Sequence, residues 1–335
     1  MNGYERYMSM VTKGRADVLP RVPIVMQFAA EYIGSNYGAF ASDHRVLVEA
    51  NRRCAEDFGF DQLSAISDPY RETQGFGAEI VYERDSVPKC PHPPLEGGRD
   101  LSKLPRPDPL SATRMKDRVD AISLYKRECY GEYSIMGWVE GPAAEAADLR
   151  GVGNFLVDLM DDERFSCELM DRCLETAIDF ARAQVGAGAD TIGVGDAIAS
   201  QVSPAVYGRL IQPREKRLVE AIHDMGALVR LHICGDITRI LTGIADLGVD
   251  ILDVDHMVDM SAARRAVGTK VTLAGNIDPV EGVLRGTPAS IQRQVAETFR
   301  TVGAPFMVNA GCEIPAGTPR RNLLSLCRKI RCPRL

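Results

Sequence analysis

The chain of 335 residues is long enough for one large α/β barrel or two average domains, and a core of that size needs no disulfide staple. Hydrophobic residues make up 45% and charged residues 26%, which excludes disordered, collagen-like and coiled-coil classes. Lys and Arg number 40 against 46 Asp and Glu, a net charge of −6; nucleic acid or an anionic membrane surface is therefore not expected as the main partner.

The first residues carry charges and no apolar h-region, and no apolar run approaches the ~18 residues of a membrane span, so a cytoplasmic location is expected. Nine cysteines, an odd number without a secretion signal, point to reduced thiols rather than a disulfide framework.

In chain order, short apolar runs at 22–28 (VPIVMQF), 62–66 (QLSAI) and 133–138 (YSIMGW) predict three strands. Between the second and third, residues 69–109 break the rhythm with Gly, Pro and an alternating segment at 79–84, and predict an inserted hairpin and loop. From about residue 186 the pattern becomes regular. Strands are predicted at 190–195, 228–233, 250–255, 270–274 and 305–309, with amphipathic helices at 203–225, 237–247, 261–267 and 289–302 between them. Such alternation means parallel strands with crossover helices. Five strands plus three give the eight of a TIM (β/α)8 barrel in a single domain. The GxGxxG fingerprint, the P-loop, the nucleophile elbow and HExxH are all absent, which removes the commonest nucleotide, esterase and metalloprotease readings.

In a TIM barrel the informative residues follow each strand. The fifth predicted strand ends in Leu231-His232-Ile233-Cys234-Gly235-Asp236. Residues i and i+2 of an extended chain point to one side, so His232 and Cys234 can both face the barrel mouth. The eighth runs into Asn309-Ala310-Gly311-Cys312-Glu313, which brings another thiol to the same end. One imidazole and two thiols form a zinc-type ligand set with one coordination position left open. The alternative, a buried histidine and thiols that merely fill space, is not excluded by these residues alone.

Residues 231–236 (LHICGD), 275–280 (GNIDPV) followed by Gly286-Thr287-Pro288, and 309–319 (NAGCEIPAGTP) resemble segments of the uroporphyrinogen decarboxylase superfamily. Within it they are similar to the corrinoid-dependent methyltransferases of the methylcobamide:coenzyme M type. Arg21-Val22-Pro23, Gly141-Pro142, 175–195 and 203–231 extend the likeness over nearly the whole chain outside the insertion. The resemblance implies Zn2+ held by His232, Cys234 and Cys312, and a methyl group moved between a corrinoid and a small-molecule methyl donor or acceptor. A thiol acceptor deprotonated at the metal would take the methyl group from methyl-Co(III); in the reverse sense zinc would act as a Lewis acid on a methoxylated donor. No Asp-x-His-x-x-Gly segment is present, so a methylcobalamin-type corrinoid is expected to arrive on a transiently docked corrinoid protein or free.

The decarboxylase branch resembles a different pattern, an Arg-rich clamp after the first strand for porphyrinogen carboxylates. Here Gln27-Phe28-Ala29-Ala30-Glu31 stands in its place, which counts against decarboxylation. A barrel that binds a tetrapyrrole or corrinoid without catalysis is the non-enzymatic alternative. Asp196, Asp255 and Asn276 also fall at predicted strand ends and are candidates for orienting a ligand, His232 or substrate. Asp278 before Pro279 reads equally as a helix cap, and Glu313 could approach the open metal position. With Glu31, Asp196 and Asp255 are expected to make the mouth acidic. Cys54, Cys129, Cys167 and Cys173 read as small core residues.

Overall fold

Seven short runs become strands in one parallel sheet, ordered as they occur in the chain: β1 Gln62–Ser64, β2 Ser134–Glu140, β3 Thr191–Gly195, β4 Leu228–His232, β5 Ile251–Val254, β6 Thr272–Ile277 and β7 Phe306–Ala310. The computed structural model describes residues 1–332. Nearly every strand residue is buried, β2 and β7 from end to end, as expected of a parallel sheet with helices outside and side chains inside.

The eighth strand is the main departure from expectation. Residues 22–28 do not form a regular strand; their last two open the helix Gln27–Tyr32. The stretch before them nevertheless closes the barrel. Val22 N–H donates to Val308 C=O at 2.9 Å, Val308 N–H to Pro20 C=O at 2.7 Å, and Asp61 N–H to Arg21 C=O at 2.9 Å. Pro20 and Pro23 have no N–H to offer, so the ladder ends after one bridge on the β7 side.

The insertion is also simpler than a full hairpin. Among the described residues of 69–109 it holds the short helix Arg71–Gly75, one antiparallel bridge between Val81 and Lys89, and a turn at Leu101–Lys103. The crossover helices follow the apolar spacing. The longest, Glu163–Ala187, buries Phe165, Leu169, Cys173, Ala177 and Phe180 at three- and four-residue intervals. Cys54, Cys129 and Cys173 are buried, Cys167 is half-buried, and all nine thiols are unbridged. No helix among the described residues is long and apolar enough to cross a membrane.

The barrel interior is polar at one level. Arg230, 1% exposed, reaches from β4 across to Gln62 Oε1 at 2.8 Å, Val22 C=O at 3.2 Å and Asp253 Oδ2 at 2.7 Å. Asn309 of β7 donates to Asp253 Oδ1 at 2.8 Å. Four staves and the closing segment are thus tied by one network whose central charges are paired. The next inward residue on β4, two positions on, is His232.

Candidate metal centre

His232 ends β4, and Cys234 follows it on the same side, as the period of two requires. Its Nε2 lies 3.1 Å from Cys234 Sγ, and Cys234 Sγ lies 3.8 Å from Cys312 Sγ. All three ligand atoms fall within 4.8 Å of one another. Two thiolates bound at ~2.3 Å in a tetrahedral zinc site would be about 3.8 Å apart, so the thiol spacing fits that ion without movement. The far side of the imidazole is also engaged: Nδ1 faces Asp253, 3.3 Å from its carbonyl oxygen and 3.6 Å from Oδ2. With Nδ1 protonated, Nε2 would be free to serve as a ligand atom, the arrangement by which a carboxylate or carbonyl orients a metal-binding histidine.

Burial alone would disfavour protonated His232, but the hydrogen bond it donates to Cys312 and the charge of Asp253 reverse this and raise it to about 9. Cys312 is lowered to about 4, chiefly by its hydrogen bond with Cys234 and by His232, against the cost of burial. Cys234 is raised, first by that same contact with Cys312 and then by burial. One thiolate facing one imidazolium is the metal-free charge state; a divalent ion would displace the imidazolium proton and the Cys234 proton together.

The loop that carries Cys234 is held by its neighbours. Gly235 has φ 98°, a conformation strained for any residue with a Cβ, and its N–H donates to Asp255 Oδ2 at 2.9 Å. Asp255 Oδ1 accepts from Met257 N–H at 3.0 Å, and His256 Nδ1 lies 2.9 Å from it. Asn276 donates to the carbonyls of Val258, at 2.8 Å, and Asp255, at 3.3 Å. Asp255 therefore braces the Cys234 loop directly, and Asn276 holds the turn at residues 255–258 that carries Asp255.

Asp196 is not brought to the metal. It is fully buried, and its carboxylate accepts from the N–H groups of Ala143 at 3.3 Å and Ala144 at 2.8 Å. It caps the helix Pro142–Arg150 from outside, and Gly141 leaves the room, since a Cβ there would run into the carboxylate. Asp278 caps the turn Pro279–Leu284 through Val280 and Glu281 N–H.

The triad opens into a cavity of about 230 Å³. Ile24, Met26, Tyr37, Ile66 and Trp138 supply its apolar wall, and Val87 with Pro69 brings the insertion to its rim. Trp138 lies over Gly193 and Gly195 of β3, where any Cβ would strike the indole. The acidic character of the mouth comes from residues other than those expected. Asp68, Glu140 and Glu313 line the cavity, while Glu31, Asp196 and Asp255 do not. Glu31 is exposed and is bonded to Gln27 and Gly317. Burial raises Glu140 to about 8, with Arg71 opposing. Glu313 accepts from Gln27 N–H at 2.9 Å.

Sequence reasoning passed over Asp253, Glu140 and Asp68. The first is an acid inside an otherwise apolar strand, and each of the others stands two residues beyond the end of a predicted strand, at 66 and 138. That parity was the available signal. A second cluster, Asp43, His44 and Asp117, also gathers within reach of an ion. Asp117 there is already paired with Arg114 and Arg118, and the set offers no thiolate.

Fold and site together define a TIM barrel with one imidazole and two thiols gathered at the C-terminal ends of its strands, a candidate metal site. The family model for uroporphyrinogen decarboxylase (URO-D) matches residues 3–331, and the chain belongs to that family. It is 28% identical over 330 residues to the methylcobamide:CoM methyltransferase MtbA of Methanosarcina mazei, covering 95% of this chain and 94% of that protein. It is 26% identical over 337 residues to the uroporphyrinogen decarboxylase of a Synechocystis, covering 95% and 94%. Among solved structures, a methyltransferase from Methanosarcina mazei superposes with a TM-score of 0.89 at 22% identity over 97% of both chains, which establishes the fold.

Proposed function

We propose that this chain is a zinc-dependent methyltransferase that moves a methyl group between a corrinoid carried by a partner protein and a small substrate, most simply a thiol acceptor. One observation carries the reading: His232 Nε2, Cys234 Sγ and Cys312 Sγ converge at the base of a small, mainly apolar cavity. Three protein ligands leave the fourth position of a tetrahedral ion for substrate, whereas a purely structural zinc would be closed. Similarity to methylcobamide:CoM methyltransferases supports the methyl-transfer class.

When bound, zinc would lower the proton affinity of an entering thiol, or polarise the oxygen of a methoxylated donor if transfer runs the other way. The chain's own residues do the rest. Asp253 fixes the imidazole, Asp255 holds the Cys234 loop with Asn276 steadying the turn behind it, and the wall around Trp138 keeps water from the reacting sulfur. In the thiol direction the sulfur bonds to the methyl carbon, and the carbon–cobalt electron pair stays with cobalt, taking Co(III) to Co(I).

At about 230 Å³ the cavity falls below the ~300–1,000 Å³ that hold drug-sized ligands. A corrin ring must therefore present its methyl group from the mouth. For the same reason, and because no arginine lines the cavity, a porphyrinogen decarboxylase is the poorer reading.

Metal analysis with anaerobic methyl transfer tests the proposal. The wild type should carry about one zinc per chain, lost in Cys234→Ser and Cys312→Ser. Zinc-loaded protein with a thiol should convert methylcobalamin to its Co(I) or Co(II) spectrum. Full zinc occupancy in both variants, or decarboxylated porphyrinogen from metal-free protein, would refute it.

A further inference from the structure

A second cavity, of about 680 Å³, lies at the end of the barrel opposite the triad. Pro305 stands immediately before β7, and Thr269 shortly before β6, so the N-terminal ends of these two strands open onto it. It is about three times the size of the cavity at the mouth and falls inside the ~300–1,000 Å³ range of small-molecule sites. Phe299, Ala304, Pro305 and Ile330 supply an apolar wall, Cys332 joins them, and two arginines, Arg15 and Arg300, share the lining.

The walls are tied together. Arg264 donates from Nε to the Val302 carbonyl at 3.1 Å, from Nη1 to those of Gly268 and, at 2.9 Å, Val271, and from Nη2 to that of Pro305 at 2.6 Å. The loop before β6 is thereby clamped to the segment before β7. On the other side Leu19 N–H donates to Ile330 C=O at 2.8 Å, and Val18 bridges to Arg331. Arg264 is spent on carbonyls, whereas among the described residues no carboxylate comes within 4.0 Å of the guanidinium of Arg15 or Arg300. Lys13, Lys270, Lys329 and Arg331, which flank the lining residues along the chain, are exposed and equally unpaired there. Two acids occur on the same segments. Asp17 is held by Arg6 and the amino terminus, and Glu297 lines a different cavity, with His256 and Asp278. A chain of net charge −6 thus keeps an excess of positive charge beside an apolar wall.

We propose that this cavity is a second ligand site, for a small organic anion with an apolar body whose carboxylate, phosphate or sulfonate group is held between Arg15 and Arg300. Guanidinium forks pair with such groups through parallel N–H donors, and both forks here have their donors free among the described residues. The apolar body gains by leaving water against Phe299 and Ile330. Walls already clamped by Arg264 need little ordering when a ligand enters. Catalysis in TIM barrels belongs to the other face, so the anion is bound here and not turned over. The inference is independent of the methyl-transfer reading.

A sulfonated dye and its uncharged analogue isolate the charge: 8-anilinonaphthalene-1-sulfonate and N-phenyl-1-naphthylamine. Both are titrated by fluorescence into wild type and into Arg15→Gln/Arg300→Gln, a variant that changes two exposed side chains. Cys332, half-buried and unbridged, reports on the place. Its alkylation by iodoacetamide is followed by peptide mass spectrometry, with Cys90 of the insertion as reference. The sulfonate should bind wild type about tenfold or more tighter than the uncharged dye, and the double variant should bring the two within about threefold. Saturating sulfonate should slow alkylation of Cys332 about tenfold and leave that of Cys90 unchanged.

Equal binding of the two dyes by wild type overturns the inference, a result that needs no variant to fold. An advantage of the sulfonate that survives intact in the double variant also overturns it. Sulfonate binding that leaves Cys332 unprotected puts the anion elsewhere on the molecule, with the same consequence. So does a full chain that binds neither dye, or binding gained only after removal of residues 333–335.

Discussion

Replacing Asp253 by asparagine separates two jobs that one side chain performs. Its carboxylate is fully buried and faces Arg230, 1% exposed, at 2.7 Å. Breaking a buried pair by removing one charge costs ~3–5 kcal/mol. Arg230 keeps its bonds to Gln62 and Val22, so a loss of about 3 kcal/mol, the lower end of that range, is expected. The new amide can accept only through its oxygen, so it cannot satisfy both Arg230 and Asn309, which now take one carboxylate oxygen each. The effect on the metal is smaller. The Asp253 carbonyl, at 3.3 Å the closer partner of His232 Nδ1, survives the substitution, so zinc affinity should fall about tenfold, ~1.4 kcal/mol, the low end for such supporting groups. Urea unfolding of the metal-free proteins and competition titration with a chromogenic zinc chelator read the two separately. Unchanged urea stability would refute the role of the Arg230 pair, and unchanged zinc affinity would refute orientation of His232 by the Asp253 carboxylate.

Asp196→Ala should lower stability by about 1–2 kcal/mol through loss of the cap on Ala143 and Ala144 while leaving zinc content unchanged; loss of zinc would instead return Asp196 to the metal site. Burial raises Glu140 to about 8 and Asp196 to about 7. The stability that these protonated acids contribute is complete below their unfolded values and is lost as pH rises through 7 and 8. Asp68 and Asp117 are lowered despite burial, held down mainly by Arg114 and Arg118 respectively; their contribution is lost only at acid pH and does not offset this. Melting of metal-free protein should therefore fall more steeply, or rise less, between about pH 5 and pH 8.5 in wild type than in Glu140→Gln, in which the His232–Cys312 pair, with Cys312 lowered to about 4, titrates alike. Parallel slopes in the two proteins would count against the buried state of Glu140.

Local pattern was sufficient for much of this molecule. The alternation from residue 186 onward named five βα units because side-chain periods of 2 and 3.6 are properties of a few consecutive residues. The same parity placed His232 and Cys234 on one face, and the end of β7 put Cys312 at the same rim. Residues 22–28 were legible as a stave but not as an irregular one, since two prolines cost ladder bonds only when neighbouring strands are present to make them.

What tertiary structure alone decided is where each acid points. Asp196 and Asp255 both follow strand ends. Asp196 turns to backbone N–H groups 52 and 53 residues upstream, through a gap left by Gly141, and Asp255 turns to Gly235, 20 residues upstream. Glu140 faces the cavity because Trp138, lying across two glycines of the neighbouring strand, and Arg71, 69 residues upstream, both fix the same carboxylate oxygen. Those contacts depend on strand register and barrel closure, which no window of consecutive residues contains.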